Sequence, residues 1–324
     1  MSEKERIDES VLALFDGGEY RTAGELARAA GIGPGEVNES LRRLEEAGYV
    51  WERHPVRGIA LRERPDHLVH SEVAPYLSTR SLGRSIRFFR SVESTNDSLL
   101  SPLFSGAEPG TVLVSEEQTR GRGRLDRRWE TPPFRALLFS VLLGAEGGPT
   151  AAGRLTLVSG VAAAEAVRAA GGPSLAIRWP NDLVAERRKV CGILCEYKPE
   201  SARLVLGVGM NVNQTVEELP AGAASLRTLS GRTFRRGPLL AAILNRLEVW
   251  VDRAEAEGFE TVRAEAERQS ALVGRSVTLE RGEGRVEGIA VGIGRGGGLL
   301  VRTEEGTREY RSGEVIRVRP VGEE

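Results

Sequence analysis

Residues 189–212 read KVCGILCEYKPESARLVLGVGMNV and contain two β-rich runs, KVCGILCEY and ARLVLGVGMNV. Similar runs precede them (SIRFFRS, TVLVSEE, ALLFSVLLG and SLAIRW), together with one long helical pattern near residues 150–170. Apolar β-type runs that alternate with a helix are typical of mixed α/β structure. The segment 84–212 is therefore predicted to form a mixed α/β domain.

Toward the C-terminus the pattern first becomes helical and then changes to short strands. Residues 237–257 and 259–270 predict amphipathic helices that cover the sheet with their charges facing outward. The apolar side chains expected to face inward are Leu239, Leu240, Ile243 and Leu247. From residue 272 short β-type runs are separated by Gly-rich turns, which predicts a small C-terminal β-barrel.

The N-terminal residues predict a winged helix-turn-helix. Residues 6–16, 22–30 and 34–47 have the apolar spacing of three short helices. Thr22 is placed as the N-cap of the second helix. Residues 49–63 then alternate as two short strands around HPVRG, which is the pattern of a wing.

Composition excludes several classes of protein. The formal net charge is −1 and the sequence pI about 6.4, so nucleic-acid binding would need a local basic patch. The N-terminus lacks the apolar core of a secretion signal and no membrane span is visible, so we expect a cytoplasmic protein with no membrane partner. Cys191 and Cys195 suit neither a disulfide framework nor a zinc site, so we expect buried thiols and no metal site.

The densest chemical signal is QTRGRGRLDRRW at residues 118–129, called the Arg-Gly loop below. Its glycines leave backbone N–H groups accessible and its arginines add fork-shaped donors, so the loop can wrap a phosphate or a carboxylate. Taken alone, the segment is better explained as a solvated basic loop. No P-loop and no strand-linked GxGxxG occurs, so a nucleotide here requires a different fold.

Two further features follow in the chain. The segment RWPNDL at residues 178–183 places Asn181 and Asp182 on a turn, which ordinary turn chemistry also explains. Lys189 opens the run KVCGILCEY and is one of only three lysines among 45 Lys and Arg residues. That imbalance indicates a need for a compact ammonium at this position.

Two weaker segments complete the pattern. The residues STN at 94–96 follow the run SIRFFRS and precede a helix. An N-cap explains one hydroxyl without any ligand, although the same groups can hydrogen-bond a small polar ring. The residues GVGMN at 207–211 form a Gly-interrupted strand that permits close approach of backbone or ligand.

In this order, these segments resemble the biotin protein ligase family over nearly the whole chain. The Arg-Gly loop with the Trp-Pro-Asn-Asp turn is a specific pair, and the winged unit narrows the resemblance to the bifunctional ligase and repressor type. The resemblance implies an α+β multidomain protein. It has a winged helix-turn-helix over 1–65, a class II synthetase-like ligase domain over 66–271 and an SH3-like β-barrel over 272–324.

The resemblance also implies a two-step reaction. Biotin and ATP, which brings Mg²⁺ without a fixed protein site, give biotinyl-AMP and pyrophosphate. A lysine of the biotin carboxyl carrier domain of acetyl-CoA carboxylase or a related enzyme then attacks the mixed anhydride. The resemblance implies that Arg124 and Lys189 neutralise charge between the biotin carboxylate and the α-phosphate of ATP. It implies that Asp182 orients the amine or a metal-bound phosphate. This interpretation requires both cations to converge on one pocket.

The remaining site residues are implied by the same resemblance. Ser94, Thr95 and Gln118 would hold the ring system of biotin, and Trp129 would pack near adenine. The full set of implied substrate-binding residues is Ser94, Thr95, Asn96, Gln118, Gly121, Arg122, Gly123, Arg124, Trp129, Asn181, Lys189, Gly192, Gly207, Gly209 and Asn211.

One position departs from the family pattern, which usually has Gly where this chain has Asp126. Aspartate costs backbone freedom and adds a negative charge among the loop arginines. We expect the loop still to order over the adenylate, with Asp126 paired to a neighbouring arginine when ligand is absent. Adenylate-release rates of Asp126→Gly equal to those of the parent would contradict this hypothesis.

The implied partners include operator DNA and a second copy of the chain. Residues 1–64 hold ten Lys and Arg against thirteen Asp and Glu, an acidic balance for a DNA reader. Binding then depends on a few well-placed groups. The expected DNA contacts are Asn38, Arg42, Arg43, Arg53 and Arg57. The alternative is a regulatory or dimerising domain that keeps only the fold.

Two other functions stay open at this point. A lipoate ligase also adenylates a ring-bearing acid, but its usual Gly-Gly-Gly loop is missing and it normally lacks a winged unit. A ligand-sensing transcription factor without ligase turnover would keep both the winged unit and the pocket. Variants of Lys189 and Arg124 distinguish a ligase from a sensor, because a ligase would lose product formation and a sensor could keep repressing.

Overall fold

The computed structural model describes residues 3–15, 18–125, 127–144, 148–281 and 284–320. The chain divides into two compact units, Met1–Tyr76 and Leu77–Glu324. The division into three domains at residues 65 and 271 stays a proposal. Asp126 lies outside the described residues, and so does the hypothesis that concerns it.

The N-terminal unit confirms the predicted winged helix-turn-helix. Its elements are α1 (Glu3–Leu12), α2 (Ala23–Ala30), α3 (Pro34–Glu46), β1 (Val50–His54), β2 (Gly58–Glu63) and α4 (His70–Val73). Thr22 caps α2 in a capping box with Glu25, whose carboxylate accepts from Thr22 N at 2.8 Å. Gly31 ends α2 with a φ of +69°, which glycine adopts without strain. β1 and β2 pair antiparallel as the wing.

The second unit is built on a mixed sheet. Its strands are β3 (Ile86–Phe89), β4 (Val112–Ser115), β5 (Ala136–Gly144), β6 (Ala176–Arg178), β7 (Asp182–Ala185), β8 (Arg188–Lys198) and β9 (Arg203–Asn211). Within the described residues they follow the order β3-β4-β5-β9-β8-β7-β6. β3 and β4 are parallel and the other neighbours antiparallel. The central position of β5, β9 and β8 agrees with the apolar runs that predicted them.

The prediction that Asp182 lies on a turn was wrong. β6 ends at Arg178 and β7 already begins at Asp182, so Asp182 lies in a strand and pairs in register with Arg178. β7 spans four residues and begins with the polar Asp182, so cross-strand hydrogen bonds rather than an apolar run decide where it starts. The turn therefore belongs to a tight hairpin that fixes the direction of Asp182.

Helices cover the sheet as predicted. They are α5 (Thr95–Leu100), α6 (Gly148–Ala169), α7 (Leu226–Ser230), α8 (Arg236–Glu257) and α9 (Phe259–Arg268). α6 packs against α8, α9 and β8, whereas α5 packs against β5 and β9. The inward side chains expected on α8, such as Leu240 and Leu247, are buried. Among the described residues, no helix combines the length and apolar character needed to cross a membrane.

Two charged residues of α8, Arg236 at its start and Glu248, are buried, which departs from the expectation that the charges face outward. Glu248 is only 7% exposed and accepts hydrogen bonds from the backbone N–H groups of Arg80, Ser81 and Leu82 at 2.6 to 2.9 Å. Burial by itself raises the pKa of this carboxyl, but the backbone donors outweigh it and lower the pKa to about 2. Glu248 is thus an ionised tie between α8 and the start of the second unit.

The C-terminal segment forms an antiparallel sheet, which confirms the short strands predicted from residue 272; the closed SH3-like β-barrel stays a prediction. Its strands are β10 (Ser276–Arg281), β11 (Gly284–Ile293), β12 (Leu299–Thr303), β13 (Gly306–Tyr310) and β14 (Glu314–Arg319). In the part of 272–324 that is described, their order is β13-β12-β11-β10-β14. Trp179 Nε1 donates to Gly297 O at 2.9 Å and Ile293 N to Glu267 Oε1 at 2.7 Å. These bonds attach the C-terminal sheet to the mixed sheet and to α9.

Candidate active site

A cavity of about 150 Å³ lies under the Arg-Gly loop. Its walls come from the first turn of α5, the loop itself, strands β7 to β9 and residues 313–315 at the start of β14. The sequence-predicted residues that line it are Ser94, Thr95, Asn96, Gln118, Arg122, Gly123, Arg124, Trp129, Asn181, Asp182, Lys189, Gly192, Gly207 and Gly209. Segments far apart in the chain therefore meet at one site.

The first turn of α5 presents buried polar groups to this cavity. Ser94 is the N-cap and accepts from Asp97 N at 3.3 Å, so the capping role and the site position coincide. Thr95 donates through its backbone N–H and its hydroxyl to Gln118 Oε1 at 2.7 and 3.0 Å. Asn96 Oδ1 accepts from the Ser140 hydroxyl at 2.6 Å. The turn and the start of the loop are therefore held in fixed orientations.

Glycines on β9 make room for two side chains of the site, those of Asn96 and Trp129. A Cβ atom at Gly207 would lie 2.3 Å from Asn96 Oδ1, and one at Gly209 would lie 2.7 Å from Trp129 Cε2. Residues two apart on a strand face the same side of the sheet. The Gly-interrupted strand is thus a floor on which an amide and an indole ring rest directly.

A carboxylate holds the lysine of the site. Lys189 Nζ lies 2.7 Å from Asp182 Oδ1 and 5.5 Å from the centre of the Trp129 ring. Asp182 Oδ2 accepts from Arg178 Nη2 at 2.7 Å. Among the described residues Oδ1 has no donor in hydrogen-bond geometry, so the contact with Lys189 is an ion pair without directed bonding.

Arg124 lines the same cavity as Lys189. Burial lowers the pKa of its guanidinium, although the charges of Asp182 and Glu314 act in the opposite direction. A partly desolvated cation gains free energy when an anion arrives beside it. Trp129 Nε1 is also buried and has no acceptor within the described chain, which leaves a donor for a ligand atom.

Two predicted residues do not reach the cavity, and a third lines it while its side chain is already engaged. Asn211 donates to Ala224 O at 3.2 Å and accepts from Gln214 Nε2 at 2.9 Å, so it fixes the segment after β9. Gly121 packs against the returning arm of the loop, where a Cβ atom would lie 2.3 Å from Trp129 O. Asn181 lines the cavity, but its amide donates to Ile193 O at 3.0 Å.

The C-terminal sheet contributes a wall that the sequence analysis missed. Gly313, Glu314 and Val315 line the cavity, and Arg127 Nη2 lies 2.6 Å from Glu314 Oε2. Nothing in the local sequence around residue 314 distinguishes it from the other charged turns of that sheet. Only the tertiary packing brings it to the Arg-Gly loop.

The cysteines stand apart from this chemistry. Cys191 is buried and Cys195 partly buried, and both are free thiols. Burial raises the pKa of both thiols, so they stay protonated.

In the N-terminal unit, the predicted DNA-contacting residues lie on α3 and in the wing. Asn38 is exposed. Arg42 pairs with Glu46 at 2.6 Å and Arg53 with Glu45 at 2.7 Å. These pairs are more than 40% exposed on both partners, so the arginines can exchange carboxylates for phosphates.

The other two arginines are more firmly engaged. Arg43 donates two hydrogen bonds to the carboxylate of Asp8, at 3.0 and 2.6 Å, and thereby ties α3 to α1. The hydrogen bond to Asp8 raises the pKa of Arg43. The Arg57 guanidinium lies 4.2 Å from the centre of the Tyr20 ring. Arg43 therefore has a structural role in addition to the predicted contact with DNA.

Comparison with protein families gives three consecutive matches. The Biotin/lipoate A/B protein ligase family matches residues 88–213, and the biotin protein ligase C terminal domain matches residues 272–318. The bacterial regulatory protein, arsR family, matches residues 11–51. Fold and site thus define a biotin or lipoate protein ligase with a regulatory N-terminal unit.

Individual relatives narrow this class. Bifunctional ligase/repressor BirA of Escherichia coli is 29% identical over 311 residues, which cover 94% of this chain and 95% of that protein. The biotin–acetyl-CoA-carboxylase ligase of Mycobacterium tuberculosis is 33% identical over 232 residues, 70% and 86% of the two chains. The structure of biotin protein ligase from Aquifex aeolicus in complex with biotin and ATP gives a TM-score of 0.64 at 32% identity, covering 73% and 99%. The chain belongs to the biotin protein ligase family.

Proposed function

We propose that this chain activates biotin with ATP to biotinyl-5′-AMP and transfers the biotinyl group to a lysine of a biotin carboxyl carrier protein. The observation that carries the proposal is the cavity under the Arg-Gly loop, lined by both Arg124 and Lys189. The family supports the choice of substrates, because the Aquifex aeolicus ligase at 32% identity is solved with biotin and ATP.

The residues divide the chemistry between two steps. In the first, a carboxylate oxygen of biotin attacks the α-phosphate of ATP and pyrophosphate leaves. Arg124 and Lys189 stabilise the negative charge that accumulates between these anions, as preorganised cations do in a site of low polarity. In the second, the carrier amine attacks the acyl carbon and AMP leaves, with Asp182 orienting the amine. Mg²⁺ enters with ATP.

The binding groups follow the shape of the cavity. Ser94, Thr95 and Gln118 are buried or half-buried hydrogen-bonding groups and hold the ring system of biotin. The backbone of Arg122 and Gly123 closes over it. Trp129 packs near adenine, and its buried Nε1–H supplies one donor.

The test is incubation of the chain with biotin, ATP and a purified biotin carrier domain, followed by intact-mass measurement of the carrier. A gain of one biotinyl group that requires ATP supports the proposal. Lipoate with its own carrier domain serves as the matched substrate. Modification of that carrier instead of the biotin carrier would assign a lipoate ligase, and no modification of either would leave a sensor without turnover.

The N-terminal unit supports a second function, biotin-responsive repression of biotin genes by binding operator DNA. The observation in its favour is the helix-turn-helix with its match to a regulatory family over residues 11–51. The test is selection of duplexes from a random DNA library by the chain preloaded with biotinyl-AMP. Recovery of no sequence above the input would remove the repressor function and leave the ligase function intact.

The active repressor is proposed to be a homodimer formed through sheet edges, acting in the cytoplasm, where ATP, carrier protein and DNA occur together. A symmetric dimer matches a palindromic operator. Sedimentation velocity with and without biotinyl-AMP tests this assembly. A single monomer mass at all concentrations would contradict it.

A further inference from the structure

We propose that Glu196 and Asp97 are positioning residues that hold the Arg-Gly loop closed over the cavity by gripping Arg122 from two sides. The expected effect on adenylate release rests on the proposed ligase function, whereas the contacts of Arg122 do not depend on it. Neither carboxylate is among the residues implied by the family resemblance.

The contacts of Arg122 connect three separate elements. Its Nε and Nη2 donate to the two carboxylate oxygens of Asp97 on α5 at 3.0 and 2.6 Å. Nη2 also donates to Glu196 on β8 at 2.8 and 3.0 Å. Bidentate arginine–carboxylate pairs fix orientation as well as distance. The first arm of the loop is therefore attached to both α5 and β8.

Glu196 has a second donor that belongs to the floor of the cavity. Asn96 Nδ2 donates to Glu196 Oε2 at 2.7 Å and to Leu194 O at 3.1 Å, and Asn96 is only 4% exposed. One carboxylate thus joins a residue under the ligand position to a residue of the loop above it. The guanidinium of Arg122 pairs with two carboxylates when the loop is closed. Opening of the loop would leave both carboxylates without this cation, so the closed arrangement is favoured.

The environment of Arg122 separates this cluster from an ordinary surface pair. Burial by itself lowers the pKa of Arg122, but Glu196 and Asp97 together raise it. Glu196 is 23% exposed, Arg122 41% and Asp97 51%, whereas the nearby pair of Arg120 and Glu93 is at least 70% exposed on both sides. Pairs that water reaches freely contribute little. The Arg120–Glu93 pair also joins the loop to the residues before α5, so it is a matched control.

The loop then opens by releasing Arg122. Two backbone hydrogen bonds join the two arms of the loop: Gly123 N donates to Arg127 O at 2.7 Å, and Trp129 N donates to Gly121 O at 2.9 Å. The segment therefore behaves as one hairpin. When Arg122 leaves its two carboxylates, the hairpin that carries Arg124 and Trp129 loses its bonds to Asp97 and Glu196, while Gln118 at the start of the loop stays bonded to Thr95. A ligand in the cavity would leave by the same opening.

The first experiment needs no ligand and uses trypsin on the full chain. The loop contains five cleavable arginines, Arg120, Arg122, Arg124, Arg127 and Arg128. Cleavage of a folded segment follows the population of its open form. Glu196→Gln is expected to be cut in the loop about ten times faster than the parent, and Asp97→Asn about three times faster because it is more exposed. Glu93→Gln is expected to match the parent.

The second experiment measures release of biotinyl-AMP from the same variants. We expect increases of the same order in the release rate, with melting temperatures unchanged, a combination that a purely structural role would not give. In an Arg122→Ala background, Asp97→Asn should have no further effect. Equal loop cleavage in the parent and both variants, or a full Asp97→Asn effect without Arg122, would overturn the inference.

The two experiments also separate this inference from the proposed function. A parent chain that forms no adenylate would remove the ligase proposal, and the trypsin comparison would still decide whether the carboxylates hold the loop. A ligase-active parent with equal loop cleavage in all variants would remove the inference alone.

Discussion

Two ion pairs with nearly the same distance lie in very different surroundings in the two units of the molecule. Arg42 and Glu46 on α3 are 2.6 Å apart and 66% and 63% exposed. Arg236 and Glu116 in the second unit are 2.5 Å apart and 0% and 8% exposed. The first pair is screened by water, while the second was stripped of it on folding. Distance alone therefore does not give the energetic weight of a pair; its surroundings do.

The same contrast separates the two sets of proposed functional cations. On α3 and in the wing, Arg42 and Arg53 can exchange a carboxylate for another anion at little cost. In the ligase unit, Arg124 and Lys189 line one cavity, in which Lys189 pairs with the carboxylate of Asp182. The N-terminal unit is thus suited to a long, adjustable polyanion, and the second unit to one small anion in a fixed position.

The largest expected effect comes from breaking the buried pair. Glu116→Gln should lower the free energy of unfolding by about 3–5 kcal/mol, because Arg236 then stays buried without its full counter-charge. Glu46→Gln, the matched change in the exposed pair, should alter it by less than about 0.5 kcal/mol. Urea unfolding of both variants measures the difference. Equal losses would contradict the role given to burial.

Next in size is the loss of the site lysine. Lys189→Gln should slow adenylate formation by about 10²–10³-fold, the range found when one preorganised donor is removed from developing charge. Lys198→Gln, at the exposed end of the same strand, should keep the parent rate. Pyrophosphate release in single turnover measures both. A parent-like rate for Lys189→Gln would remove the lysine from the proposed first step.

The buried carboxylate of Glu248 should give an acid-dependent effect. Its pKa is lowered to about 2 in the folded chain, so its contribution is complete above the ordinary pKa of 4.5 and is lost as the pH falls toward 2. We expect Glu248→Gln to cost about 2–3 kcal/mol at pH 7 and to unfold with a weaker pH dependence below pH 4.5.

The control for Glu248 lies one turn further along α8. Asp252 pairs with Arg80 at 2.5 Å but is 44% exposed, so Asp252→Asn should change stability by less than about 0.5 kcal/mol. Denaturant titrations from pH 2 to 7 compare the variants. If Glu248→Gln keeps the full pH dependence of the parent, other carboxyls cause it.

The smallest expected effect tests the exposed side of the comparison. The double variant Glu45→Gln and Glu46→Gln releases Arg53 and Arg42 from their carboxylates and should bind a selected operator duplex about three to ten times more tightly at low salt. Removal of the same charge elsewhere, in Glu19→Gln with Glu63→Gln, should give a smaller gain. Fluorescence anisotropy at several salt concentrations measures both, and equal gains would mean that Arg42 and Arg53 do not contact DNA.

Local chemistry explains why much of the fold was predictable. The capping box of Thr22, the positive φ of Gly31 and the N-cap of Ser94 depend on neighbours within a few residues, so short patterns reveal them. The apolar runs of β5, β8 and β9 are long enough for their periodicity to be unambiguous. For the same reason the Arg-Gly loop and the floor under it could be located in the sequence.

The remainder depends on distant partners. Asp182 joins a strand because β6 and β8 pair with it, and Glu248 turns inward because three backbone N–H groups meet it there. Asn211 carries the chemistry of a site residue, but its neighbours after β9 take both of its polar atoms. No pattern along the chain contains such information.

The wall that residues 313–315 add to the cavity also orders events during synthesis. The first turn of α5 is made more than two hundred residues before this wall, so a nascent chain carries the loop and the cations long before their enclosure can close. Contacts of such sequence separation form late and slowly. A ribosome-bound chain would therefore hold an incomplete pocket until β14 emerges, and fragments arrested before that point should be unable to retain an activated intermediate.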